Sequence, residues 1–168
     1  YCDLEYIVDC KKPDCLKRIE KDEVVKPVIL SFDIEVYSSV KSSFPQAKRQ
    51  GDVVFQISGA VRNKKGEVDK YLLTLGEPDP AIIGEDVEIR MFENEIDLLQ
   101  GYAEFVNEIN PQVIIGYNIF GFDIQYMVDR AQMWYIVDNF TKQSMIVGQQ
   151  AKLTPIKWSS SAYGEQKL

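Results

Sequence analysis

The chain has 168 residues and a mass of 19.3 kDa, with 45% hydrophobic, 11% aromatic and 27% charged residues. That is enough apolar material for one core of ordinary size and too little for two, and no apolar run is long enough for a membrane-spanning helix. There is no histidine, which excludes a Ser-His-Asp or Cys-His mechanism and a His-ligated zinc site for want of the imidazole.

The formal net charge of −7 is unevenly spread: residues 76–110 hold ten acidic side chains against the single Arg90, a net of −9, and the remainder carries +2. An acidic face can therefore coexist with a mildly basic one, and a nucleic-acid partner is compatible with the composition. Cys2, Cys10 and Cys15 form no C-x-x-C pair and follow no secretory leader. They read as structural or incidental thiols in a reducing, intracellular compartment. The chain opens on Tyr1 rather than Met, so a piece of a longer protein is expected.

Residues 1–26 mix Lys, Asp, Glu and Pro around short apolar bits and read as a lead-in, closed by Lys26-Pro27. Residues 27–168 read as one domain. The run Val28 to Val36 is β-branched and aromatic-rich, as expected of a strand buried on both faces, and is interrupted only by Asp33 and Glu35. A Ser-rich loop and the turn at Phe44-Pro45 lead to a second strand, Val53 to Ala60 and Val61. A turn at Asn63 to Glu67 then joins it to a third, Tyr71 to Leu75, in a hairpin. Gly76-Glu77-Pro78-Asp79-Pro80 breaks the pattern, and a surface loop is expected until helical periodicity starts at Asn94, a plausible cap. Ile96, Leu99, Ala103, Val106 and Ile109, flanked by Leu98, Tyr102 and Phe105, form that helix's apolar face, and Asn110-Pro111 ends it. Val113 to Tyr117 reads as a fourth strand. A second helix runs from about Asp123 into the low 130s, and the tail beyond Gln143 reads as strands and loops. Three mainly antiparallel strands, a helix and a strand returning to the same sheet define an α/β domain with a mixed sheet, the start of a ribonuclease-H-like arrangement.

Asp33 and Glu35 stand two apart on a strand, so both leave the same face. Two anions on one face of a hydrophobic strand repel each other and cost several kcal/mol to desolvate unless a cation joins them. The bland alternative is an exposed strand end or pairing with Lys or Arg. A third carboxylate, Asp123, follows the fourth strand and the Gly121 turn at a helix start, where it serves either as a dipole partner or as part of a site beyond a strand's carboxyl end. Three hard oxygen ligands without His or Cys suit Mg²⁺ or Mn²⁺. Two such ions would support in-line phosphoryl displacement by water with no protein nucleophile.

Ser31-Phe32-Asp33-Ile34-Glu35 resembles the first exonuclease motif of family B DNA polymerases, and Gly116-Tyr117-Asn118 with Phe122-Asp123 resembles the second, N-x-x-x-F-D. Phe44-Pro45, Asp52 to Ser58, Phe92 with Glu95 and Leu98-Leu99, Asn110 to Ile114, Arg130-Ala131 and Ser159 to Gly164 are also similar to that family, closest to delta-type and large-DNA-virus replicases. The resemblance covers residues 24–168. It implies a 3′–5′ proofreading exonuclease domain of the DEDDy kind on a ribonuclease-H-like fold. By that resemblance Asp33 bridges two metals, Glu35 completes the site of the water-activating one and Asp123 holds the second, while Asn118 and Phe122 shape the pocket for a single-stranded 3′ end. For Asn118 a turn-forming role is the alternative, and for Phe122 core packing.

One departure stands out: the family's fourth carboxylate lies in a Y-x-x-x-D motif, and this chain has only Y-x-x-D, at Tyr6, Tyr126 and Tyr135. The expectation is therefore a partial exonuclease domain, impaired alone. Expected partners are DNA, the remainder of the polymerase chain and a sliding clamp or accessory subunits, with no membrane, at a nucleus or viral replication site. A non-catalytic single-strand-binding or structural module, or a stand-alone nuclease, are the competing readings. Tyr37, Phe120 and Tyr163 are read as packing residues, with stacking on bases as the alternative.

Overall fold

The computed structural model describes residues 7–9, 11, 16–22, 24, 26–144, 148–152, 154, 157–160 and 164–167. The three cysteines and Tyr163 lie outside the described residues. The elements in chain order are β1 (Ile29–Val36), β2 (Val54–Arg62), β3 (Val68–Leu75), β4 (Val87–Phe92), α1 (Glu95–Ile109), β5 (Val113–Ile115), α2 (Asp123–Met133), α3 (Val137–Phe140), β6 (Lys157–Ser160) and β7 (Gly164–Lys167). β1 to β5 form one mixed sheet in the order β4-β3-β2-β1-β5, and β6 and β7 a separate antiparallel pair. β2 is antiparallel to both β1 and β3, whereas β3 with β4 and β1 with β5 are parallel. The expected mixed α/β sheet is present.

β1 corrects the expectation of burial on both faces. Leu30, Phe32 and Ile34 are buried while Asp33 and Glu35 are exposed, the period-2 alternation of a strand covered on one side. The helices cover that one side. α1 places Leu98, Leu99, Tyr102, Ala103, Phe105 and Val106 against Leu30, Phe32, Ile57, Val61 and Leu73 in a single core. Asn94 caps α1 by accepting from the Asp97 N–H at 3.0 Å. At the other end Asn110 adopts φ 45° ψ 58°, a left-handed stop that Asn tolerates, and Pro111 follows.

The expected loop after Gly76 is only partly a loop, because Val87–Phe92 forms the edge strand β4. Its Glu88 and Arg90 hid the strand in a charge-rich stretch. They lie on the helical side, where Arg90 bonds Glu108 of α1 at 2.7 Å and sits 5.2 Å from the Phe105 ring. The hairpin strand β3 starts three residues earlier than expected, β5 stops two residues earlier, and the short α3 was not foreseen.

Gly116, just after β5, is a close approach that only glycine permits. A Cβ there would lie 2.7 Å from the Phe32 carbonyl oxygen and 2.1 Å from Ile119 Cγ2. Because one of the two obstacles is backbone of β1, which cannot swing aside, Gly116→Ala is expected to destabilise the chain by about 1–3 kcal/mol, read as a lower urea midpoint.

Candidate active site on the first strand

β5 pairs with β1 only from Ile29 to Ser31, so beyond Ser31 that edge of β1 has no strand beside it. Asp123, first residue of α2, takes the vacated place: its Oδ1 accepts the Ile34 N–H at 3.2 Å. The turn delivering it is built by Asn118, at φ 53°, whose carbonyl accepts from the N–H groups of Gly121 at 2.9 Å and Phe122 at 3.2 Å. The Asn118 side chain also lies over Gly121, whose absent Cβ would meet Asn118 Oδ1 at 2.3 Å. Asn118 thus forms the turn that leads into Asp123.

Asp123 is 3% exposed, and its pKa is raised, first by loss of solvation and further by the Asp33 carboxylate, while the Ile34 N–H pulls it down. The structure thereby brings two of the predicted carboxylates together, one buried and one exposed. Glu35 shares the exposed face of β1, roughly 6–7 Å further along by strand rise, and among the described residues no three carboxylates are gathered at metal-holding distance. None of the ion pairs among the described residues engages Asp33, Glu35 or Asp123. The alternative of pairing with Lys or Arg therefore finds no support, whereas Asp33 and Glu35 are exposed near the end of β1, as the other bland alternative has it. An all-oxygen donor set containing a buried carboxylate beside a like charge fits a hard divalent cation.

Phe122 is half-buried. Its ring meets Tyr126 at 5.3 Å and the exposed Phe44 edge-on at 5.4 Å. Phe44 belongs to the loop between β1 and β2 and was not singled out from the sequence as a site residue. The available signal was a large aromatic beside proline in a Ser-rich, polar loop. On the open face of the sheet a groove of about 760 Å³ runs from Asp33, Gly116 and Tyr117 across Ser58 to Lys70 and Ile82.

The loop is held by Asp52, which is completely buried. Its carboxylate accepts the N–H of Ser39 and of Gln46, both at 2.8 Å, and pairs with Arg49 at 2.8 Å. Burial works to raise its pKa, but the Ser39 hydroxyl, the two N–H groups and Arg49 outweigh it and hold the value at about 2. A folded value below the ordinary 3.8 means that this stabilisation is present above the unfolded pKa and lost as pH falls through the folded one. The wild-type urea midpoint is expected to drop between about pH 5 and pH 2, and Asp52→Asn to show a shallower fall over that window.

A five-stranded mixed sheet with helices on one face and carboxylates on its inner strand β1 defines a ribonuclease-H-like α/β domain. The exonuclease domain of DNA polymerase family B matches residues 2–167, and the chain belongs to that family. It is 41% identical to DNA polymerase 120R of Invertebrate iridescent virus 3, an alignment covering 98% of this chain and 15% of the relative. It is 34% identical to the DNA polymerase delta catalytic subunit of Oryza sativa subsp. japonica (98% and 14%) and 32% identical to the DNA polymerase catalytic subunit of Epstein-Barr virus strain B95-8 (82% and 13%). The chain thus spans about one seventh of the relatives it matches. Among the described residues no helix is long and apolar enough to cross a membrane.

Proposed function

We propose that this chain forms the acidic face of a proofreading 3′–5′ exonuclease within a replicative DNA polymerase, removing the terminal nucleotide of a mispaired single-stranded primer end. The observation that carries this reading is the capture of Asp123 by the Ile34 N–H beside Asp33. It fixes a pair of carboxylates whose mutual repulsion a bound cation would relieve. Asp33, Glu35 and Asp123 would hold Mg²⁺ or Mn²⁺. Bound there, such ions supply an activated water and positive charge for the leaving oxygen. The protein's own part is to orient the donors and the strand. Asp123 is fixed by a backbone bond rather than by a flexible partner, and Phe44 with Phe122 offers a surface on which a terminal base stacks.

In this reading a fourth carboxylate is supplied by polymerase sequence other than these 168 residues, DNA and the rest of the polymerase are the partners together with a clamp or accessory subunits, and the work is done at a nuclear or viral replication site. Residues 1–26 are the lead-in and 27–168 the partial exonuclease domain.

The test is Mg²⁺- or Mn²⁺-dependent release of nucleotides from the labelled 3′ end of a single strand, by this chain and by a version carrying about one hundred further residues of the polymerase. Cleavage by the longer chain, weaker or absent in the shorter one, supports the reading. Metal and DNA binding without cleavage in either sinks it in favour of a binding module. Phe44→Ala is expected to raise KM for single-stranded ends about tenfold, the worth of one stacked base, with little change in kcat.

A further inference from the structure

Three side chains of α2 project at i, i+3 and i+7, a single helical stripe: Asp123, Tyr126 and Arg130. All three are buried, and all three reach backbone or carboxylate partners far away in sequence. Asp123 takes the Ile34 N–H of β1. The Tyr126 hydroxyl donates to the Asp52 carbonyl at 3.0 Å. Arg130, with no solvent exposure, uses all three of its nitrogens. Its Nε donates to Glu95 at 2.8 Å, and its Nη2 donates to Glu95 and to the Gln50 carbonyl at 3.2 Å. Its Nη1 donates to the carbonyls of Ala47 at 3.0 Å and Arg49 at 2.8 Å. Glu95, 5% exposed at the start of α1, is itself completed by the Val54 N–H at 2.8 Å and the Trp134 indole N–H at 2.6 Å.

This stripe connects the two halves of the site. The segment that Arg130 grips, residues 47–50, belongs to the connection that leaves β1 just after Glu35 and carries Phe44. The helix on which Arg130 stands begins with Asp123. Buried polar groups fully satisfied in this way have one low-energy arrangement, because sliding α2 by any fraction of a turn would strand several donors at once.

We infer that Arg130, acting through its carbonyl contacts and Glu95, is a positioning residue that fixes α2 against the connection between β1 and β2 and so sets Asp123 beside Asp33. The inference rests on the exonuclease reading for its functional consequence, and on geometry alone for its structural one.

The test uses Arg130→Lys, and Arg130→Met combined with Glu95→Gln. The latter removes both buried charges and keeps an acceptor for the Val54 and Trp134 N–H groups, so that it folds even where a single change does not. Hydrogen exchange is followed at the Ile34 amide, whose protection comes from Asp123 rather than from a strand. The expected result is exchange at Ile34 faster by about tenfold or more, with the amides of β2 and β3 little changed. In the nuclease assay kcat falls about a hundredfold while KM for single-stranded ends holds, the loss typical of a misplaced reacting geometry. Arg130→Lys keeps the charge pair but not the fork onto the three carbonyls, and recovers only part of the rate. Wild-type exchange at Ile34 in a folded variant overturns the inference, as does faster exchange with unchanged kcat. Faster exchange at Ile34 with no nuclease activity in any form leaves the positioning standing and removes the exonuclease reading.

Discussion

Asp33→Ala combined with Glu35→Ala is expected to abolish metal-dependent release of 3′ nucleotides while leaving the fold intact. Both side chains are exposed on the face of β1 away from α1, so their loss creates no cavity in the core formed by Leu30, Phe32 and Ile34. What is lost, in the proposed reading, is the donor set for the cation. Charge stabilisation by a bound cation is worth several kcal/mol in the transition state, so the rate falls by about a thousandfold or more. The same substitutions relieve buried Asp123 of its like-charged neighbour. Melting in EDTA is therefore expected to be unchanged or raised by a few degrees, about what a fraction of a kcal/mol to 1 kcal/mol produces in a domain of this size. A double variant that still degrades single strands at the wild-type rate would refute the assignment, and one that melts well below wild type in EDTA would show that the two carboxylates hold the fold.

The second large effect is on stability. Arg130→Met is expected to cost about 3–5 kcal/mol, because it leaves Glu95 as an uncompensated buried anion and strands the carbonyls of Ala47, Arg49 and Gln50. Against a typical total of about 5–15 kcal/mol, that brings the chain close to unfolding at room temperature. Adding Glu95→Gln is expected to return most of the loss, since the desolvated charge disappears while Val54 and Trp134 keep a carbonyl acceptor. Urea unfolding of the three proteins measures both numbers. A single-variant cost under about 1 kcal/mol would place the pair among exposed ion pairs rather than buried ones.

The two charge systems of the molecule behave oppositely for one reason. Arg130 and Glu95 are buried with opposite signs and mutual bonds, so removing either one alone strands the other. Asp33 and Glu35 hold one sign beside buried Asp123, without a cationic partner among the described residues, so the fold is expected to gain by their removal while the proposed site loses. A like-charged neighbour beside a buried carboxylate is the pattern of strain kept at functional sites and supports the proposed one.

Much of this was written along the chain. The apolar spacing of Leu98, Leu99, Tyr102 and Val106, the Asn94 cap and the Asn110-Pro111 stop define α1 without reference to anything distant, because helix periodicity and caps are local. The hairpin of β2 and β3 is likewise local, its turn closed by Asn63, whose Oδ1 accepts three successive N–H groups from Lys65 to Glu67. The spacing of Asp33 and Glu35 placed them on one face before any fold was known. Other features belong to the tertiary structure alone. That β1 is covered on one face only depends on where the helices pack. β4 is a strand because β3 offers a free edge and Arg90 finds Glu108 eighteen residues on. Within the acidic stretch, no local pattern marks Glu95 as buried until Arg130, thirty-five residues away, is folded against it. Asp123 becomes more than a helix-start carboxylate only because β5 ends at Ile115 and leaves the Ile34 N–H unclaimed across eighty-nine residues. The sequence determined which faces and ends its elements have, since those follow from periodicity and backbone stereochemistry within a few residues. The tertiary structure decided which charges are buried and which carboxylates meet, since burial and pairing depend on segments that only packing brings together.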